Sequence, residues 1–450
     1  MKKIGFILVM GLAFFIVTGC SDGADEKEKE NQTAAEEDVD SAQGVEDEKA
    51  VDAEETDGES EAADDTFLGT IDDTEVIALE DYPEENWLKL ETEEDVQSRA
   101  FLDGDTVYTI TRDDEAVAYS TDGKKLWQSE ALPYPIRRTV VLTEDYLLIN
   151  TETSEGETAY IEALDKKTGK SVYRINLDKY NDLSELYVLD DAIYFAAGIR
   201  SNPDDLLFSD TFTFHKHSLK DGKAIWEKDI DMFTVNTKGA LFQFAQKDDL
   251  FYYVNEDSEI VALDKETGEQ AWAVEGPEKY RYTLPFLSED KLYVMGQEVI
   301  WSYDAATGDK ISEFAFEGGV TDFASPYPAF HGSTVVYQDV DFDTGLSTIW
   351  AADLDQGEEI WSVNLPEEDY LYTAHMMNDT LYLLTEKRDK ELEEPTKVIK
   401  LDPESGKQLE SIALDEKVGA GPGSVYISAD SHQDGAYISA FYDDIIYFIK

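Results

Sequence analysis

Leu250-Phe-Tyr-Tyr-Val254, Ala262-Leu-Asp264 and Thr267-Gly-Glu-Gln-Ala-Trp272 follow one another within two dozen residues, and their reading decides the fold. The first is an aromatic and β-branched strand, introduced by the acidic pair Asp248-Asp249. The second closes another strand. Between it and Trp272 stands Gly268, which supplies the positive φ that a tight hairpin needs, with Asp and Thr beside it able to bond the local backbone. The same order recurs along the chain, with turn glycines at Gly123, Gly169, Gly222, Gly268, Gly308, Gly357 and Gly406. Their spacing of 40 to 53 residues is close to one four-stranded blade per repeat. No long stretch shows helical periodicity, so residues 66–450 read as all-β.

The unit "strand, Ala-Leu-Asp, x, x, Thr-Gly-x-x-x-Trp" resembles the PQQ-like β-propeller repeat. That repeat is shared by quinoprotein dehydrogenases and by non-enzymatic outer-membrane assembly lipoproteins of the BamB type. The resemblance implies that Trp127, Trp226, Trp272 and Trp361 dock one blade on the next. Tyr173, Ser312 and Glu410 stand at the Trp position in three repeats, where the ring is expected to be irregular. Beyond the seventh turn the sequence holds three further strand-like runs, Val425–Ser428, Ala436–Ala440 and Ile445–Ile449. An N-terminal strand, at Glu75–Leu79 or Trp87–Leu90, would complete them and remove an exposed edge. The expectation is a propeller of eight four-stranded blades, with seven as the alternative, its ring closed by an N-terminal strand.

The first 65 residues have a different character. Met1-Lys2-Lys3 precedes an uncharged apolar run, Ile4–Thr18, laid out as an export signal. It ends in Val17-Thr18-Gly19-Cys20, which resembles the bacterial lipobox, so residues 1–19 read as a signal peptide and Cys20 as the site of lipid attachment. Cys20 is the only cysteine, which leaves no disulfide within one chain. From residue 21 to 65 there are twenty acidic residues against three lysines and no aromatic residue, the composition of a disordered spacer. Residues 20–65 are therefore expected to tether a propeller of residues 66–450 to a membrane.

The chain carries a net charge of −63, of which −48 falls on residues 66–450. Such acidity argues against nucleic acid and against adhesion to anionic headgroups. It suits a basic partner, cation-rich wall polymers or salt adaptation.

Few residues point to chemistry. Enzymes of the resembling family hold PQQ with calcium in the central funnel, and many carry a disulfide between adjacent cysteines, a feature absent here. Asp339–Gly345 looks calcium-binding, but a helix-flanked calcium loop needs Gly at position six and Glu at position twelve, where Thr344 and Trp350 stand. It reads as an acidic hairpin. The five histidines are at positions 215, 217, 331, 375 and 432. His215 and His217 share a strand face and could chelate a metal, but with no completing ligand in sequence they read as exposed strand residues. No metal site is therefore expected. There is no Gly-x-Ser-x-Gly elbow and no phosphate loop. Ser201–Asp205 falls in the widest repeat spacing and reads as an inserted connecting loop.

These readings lead to a non-catalytic binding or assembly scaffold, anchored in the bilayer through acylated Cys20 and facing outward. No cofactor is expected; PQQ is disfavoured, and calcium remains an option without a recognisable loop. The partner is expected to be an envelope protein or cell-wall polymer, the propeller monomeric, and the location a Gram-positive surface or the periplasmic face of a Gram-negative cell. The alternatives are a PQQ- or metal-dependent enzyme using the central channel, and a polysaccharide-binding module.

Overall fold

A computed structural model describes residues 67–449, except 73, 97, 99, 134, 153–157, 200–210, 233–243, 277–284, 296–298, 316–328, 341–343, 345, 368, 378, 388–394, 416–437, 443 and 444. Cys20, the acidic segment, Ser201–Asp205, Val425–Ser428 and His432 lie outside the described residues. The unit that contains the described chain runs from Asp65 to Lys450.

Its strands are antiparallel hairpins in sequence order. Blade 1 spans 101–128, blade 2 135–177, blade 3 182–230, blade 4 245–275, blade 5 285–315, blade 6 329–364 and blade 7 369–413. In blade 3 the first strand is broken into Asp182–Leu183 and Tyr187–Leu189, both paired with Ala192–Ile199. The middle strands are buried on both faces, as Ile260–Leu263 and Leu381–Leu384 illustrate, which accounts for their unbroken apolar runs. Among the described residues the only helical turns are two short 3₁₀ segments, Leu79–Asp81 and Glu84–Asn86.

The repeat motif is explained by the turn between the third and fourth strands. In blade 4 the Gly268 N–H donates to the Asp264 carbonyl at 2.8 Å. The Thr267 N–H and hydroxyl both donate to the Asp264 carboxylate at 2.8 Å. That is why Asp and Thr-Gly recur at fixed spacing: one carboxylate holds a turn whose glycine sits at φ +67°. The hydrogen bond from the Thr267 side chain lowers the Asp264 pKa below its ordinary value. A register shift follows in the same place in every blade, for example between Ala262 and Leu263.

The expectation of eight blades is corrected by this topology. The described residues form seven four-stranded blades, one for each turn glycine. What the chain ends contribute is a three-stranded sheet, in which Ile445–Ile449 pairs antiparallel with Trp87–Glu91 on one side and Ile438–Tyr442 on the other. It has no Gly turn of the repeat type and no fourth strand among the described residues. Ile77–Ala78 goes elsewhere, pairing parallel with the outer strand of blade 7.

The core is a circuit of seams. Eight apolar clusters, each shared by two neighbouring sheets, lead from the closing sheet through blades 1 to 7 and back. Phe448 of the closing sheet is 1 % exposed and packs with Leu90 and Val107. Phe448→Ala should therefore lower stability by about 3–5 kcal/mol, the usual cost of emptying a buried aromatic site. Urea denaturation followed by tryptophan fluorescence measures it, and an unchanged midpoint would mean that the closing sheet is not part of the cooperative unit.

Candidate functional site

At four of the turn glycines an indole on the fourth strand of the preceding blade packs directly against the glycine. A methyl group at Gly169 would lie 2.3 Å from the Trp127 ring, one at Gly268 2.9 Å from Trp226, one at Gly308 2.8 Å from Trp272 and one at Gly406 2.5 Å from Trp361. Glycine is required here by close approach as well as by φ. The rings also donate: Trp127 Nε1–H to the Lys166 carbonyl and Trp361 Nε1–H to the Pro403 carbonyl, both at 2.9 Å. Each acceptor stands three residues before the docked glycine.

The departures from Trp follow the same geometry. Tyr173 packs over Gly222 and donates its hydroxyl to the Leu219 carbonyl at 2.5 Å. Ser312 donates to Leu354, the corresponding carbonyl before Gly357, at 3.1 Å. At Gly308 the corresponding carbonyl, Ala305, is taken by the Tyr252 hydroxyl at 2.9 Å, and Trp272 Nε1 has no hydrogen-bond partner. Among the described residues Glu410 faces no further blade turn. Its carboxylate instead receives the Tyr82 hydroxyl and Lys400, both at 3.1 Å, which ties in the N-terminal segment. Gly123, the turn glycine of blade 1, faces the Glu91 carbonyl of the closing sheet rather than an indole.

The outer rim is apolar at regular intervals. Leu126, Val172, Ile225, Ile311 and Leu409 are each about half exposed, and each immediately precedes the residue at the Trp position. At two blades the chain's own N-terminal segment lies against this rim. Phe67–Thr70 pairs parallel with Glu358–Asn364 of blade 6, and Ile77–Ala78 with Gln408–Ala413 of blade 7. No described strand pairs with the outer edges of blades 1 to 5.

His215 and His217 are not exposed, contrary to the sequence-based expectation. They are 1 % and 5 % exposed, in the third strand of blade 3, and their rings enter the seam with blade 2. Phe195 stacks on His215 with ring centres 4.8 Å apart, and Tyr180 meets it edge-on at 5.2 Å. Burial pushes the His215 pKa down to about 3, helped by His217 and Lys179, and burial lowers that of His217 as well. Glu227, across the ladder from His215, is exposed. A cavity of ≈ 360 Å³ opens nearby, lined by Tyr180, Phe212, Thr213 and Asp231 among others. His331 Nδ1 lies 3.9 Å from Asp379, remote from this group. Asp339 falls in a strand paired antiparallel with Ser347–Asp353, while most of the acidic connection after it lies outside the described residues.

Residues 157–283 and 279–425 match the profile of the family described as outer membrane protein assembly factor BamB. The chain belongs to this BamB-like family of PQQ-type β-propeller repeats. Solved structures agree on the fold. The BamB structure from Moraxella catarrhalis matches with a TM-score of 0.52 and 14 % identity over 80 % of this chain and 97 % of that one. The computationally designed Ika8 protein matches with a TM-score of 0.54 and 13 % identity over 80 % and 99 %. Quinohemoprotein alcohol dehydrogenase from Comamonas testosteroni matches with a TM-score of 0.52 and 12 % identity over 81 % and 76 %. No curated protein matches the chain.

The dehydrogenase likeness is one of fold alone. Among the described residues, the His, Cys, Asp or Glu groups close enough to share an ion are represented by His215, His217 and Glu227. Two imidazoles in a seam between blades do not fit the calcium of a quinone site, since calcium takes six to eight oxygen ligands.

The seam contact makes a differential prediction. Gly169→Ala and Gly357→Ala both place a methyl group at φ near +70°, but at Gly357 nothing lies within 4 Å. Gly357→Ala should cost about 1–2 kcal/mol from the left-handed backbone alone. Gly169→Ala should cost at least about 2 kcal/mol more, because the Trp127 ring must move. Paired denaturation midpoints test it; equal losses would show that the ring contact adds nothing.

Proposed function

We propose that this BamB-family chain is a non-catalytic scaffold outside the cytoplasm, tethered through acylated Cys20, that holds envelope proteins at the propeller rim. The observation that carries the reading is the rim itself. The chain's own N-terminal segment lies as added parallel strands on blades 6 and 7, and an exposed aliphatic side chain recurs at one register on blades 1, 2, 3, 5 and 7. Strand addition at a sheet edge is a general mode of protein recognition, with main-chain bonds giving affinity and side-chain pockets specificity. The partner best suited to it is an extended segment with basic residues, since residues 66–450 carry a net charge of −48. The dehydrogenase relationship is too distant to favour catalysis, and no described residue group argues for a reaction.

The test is recovery of partners by the intact lipidated protein from its own envelope after mild crosslinking, read by mass spectrometry. A protein at comparable abundance is the expected result. Its recovery should fall severalfold for the combined variant Leu126→Asp, Val172→Asp, Ile225→Asp, whose exposed positions leave the fold intact. Recovery of wall polymer instead of protein would replace the reading, and an unaffected triple variant would remove the rim from it.

A further inference from the structure

We infer that the seam between blades 2 and 3 holds a transition-metal site of the zinc class, with His215, His217 and Glu227 as its protein ligands. This inference is independent of the scaffold reading. One donor atom from each residue lies within 4.8 Å of the other two, and His215 Nδ1 is 3.7 Å from Glu227 Oε1. Donors bound to zinc at 2.0–2.2 Å in tetrahedral geometry stand about 3.4 Å apart, so side-chain rotations of about 1 Å close the set. Three protein ligands leave a fourth position, and exposed Glu227 opens it to water.

The tautomer of His217 is already set for ligation. Its Nδ1 lies 2.9 Å from the Gly222 carbonyl, which can only accept, so Nδ1 carries the proton and donates it. The lone pair is then on Nε2, which is buried without a partner. A ring N–H held by a backbone carbonyl is the usual second interaction of a metal-ligating histidine. Here that carbonyl belongs to the turn glycine of the repeat, so the blade turn itself orients the ligand. Both ring nitrogens of His215 are likewise buried without hydrogen-bond partners.

Two other blades fill this register with aliphatic side chains, whereas blade 2 places buried Glu162 there, paired with Arg174 on the next strand. Positions equivalent to His215 and His217 hold Val261 and Leu263 in blade 4, and Ile399 and Leu401 in blade 7, all buried. Opposite Val261 and Ile399 stand Ala273 and Ser411, where blade 3 has Glu227. Blade 3 thus replaces an apolar pair and a small neighbour with two imidazoles and a carboxylate converging on one point. Leaving buried nitrogens unpartnered is costly, and a bound ion removes that cost for one nitrogen of each imidazole. With nitrogen in the majority, the donor set suits zinc, nickel or copper ions rather than calcium or magnesium. All three ligands lie on the third and fourth strands of blade 3, so the ion would pin that hairpin together on the face it turns to blade 2.

The experiment is zinc titration of the full chain after chelator treatment, against a competing indicator and in excess magnesium to fill the many acidic surface positions. One tight equivalent is expected, raising the thermal unfolding midpoint, and cobalt in its place should show the visible bands of a four-coordinate ion. Glu227→Gln and His217→Gln should each weaken zinc binding at least tenfold. Glu227→Gln, at an exposed position, should leave the metal-free unfolding midpoint unchanged, which separates ligand loss from misfolding. Absence of an equivalent that survives magnesium would overturn the site, as would binding indifferent to Glu227→Gln.

Discussion

The structure depends on the contact between a side chain on one blade's fourth strand and the turn glycine of the next. It has two parts, a flat surface laid against a backbone that has no Cβ, and a donor aimed at the carbonyl three residues before the glycine. Trp127 and Trp361 supply both parts at once. Tyr173 supplies both with a smaller ring, and Ser312 supplies only the donor. Where Tyr252 takes the carbonyl, Trp272 keeps its place as a surface and gives up its hydrogen bond. Trp226 Nε1 is likewise without a partner, and Gly357 has no ring against it, so either part alone serves a seam and the repeat tolerates substitution for that reason.

Because an apolar cluster fills every seam, stability is distributed around the circuit, and the chain ends become the exposed weak point. They are handled in two ways. Trp87–Glu91 pairs with Ile445–Ile449 so that residues more than 350 apart share one sheet. The segment before it runs along the rim, adding parallel strands to blades 6 and 7 and anchoring Tyr82 between Lys400 and Glu410. The same rim on blades 1 to 5 has no such described cover, which makes strand capture by a partner a natural extension of what the chain already does to itself.

Blade 3 differs chemically from its neighbours while obeying the same geometry. Its first strand is broken, and its seam with blade 2 adds two imidazoles beside Phe195 and Tyr180 to the aliphatic side chains. Unlike the buried Glu162, which Arg174 pairs, and Lys400, which Glu410 pairs, the imidazoles of blade 3 leave ring nitrogens without partners, and that is where a specific ligand has the most to bind to. Its position in a seam, away from any set of oxygen ligands, also separates it from the chemistry of the quinoproteins that share the fold.

The sequence by itself determined the blade. Asp, Thr and Gly at fixed spacing dictate a turn through local hydrogen bonds, and alternating strands dictate what flanks it, so each repeat was legible without its neighbours. It also indicated which residues dock, since an aromatic after Thr-Gly recurs. Strand-like runs beyond the seventh turn suggest a further blade, but a complete blade needs a turn glycine and an outer strand, and the described end of the chain has neither. The burial of the histidine pair escapes the sequence for a related reason. Period-two alternation tells which residues share a face, but not whether that face meets solvent or another blade. Glu227 was invisible as their partner because it lies ten residues further on and is brought opposite His215 only by the bulged register of the hairpin. Burial and convergence are properties of the seam, and a seam exists only once two blades have met.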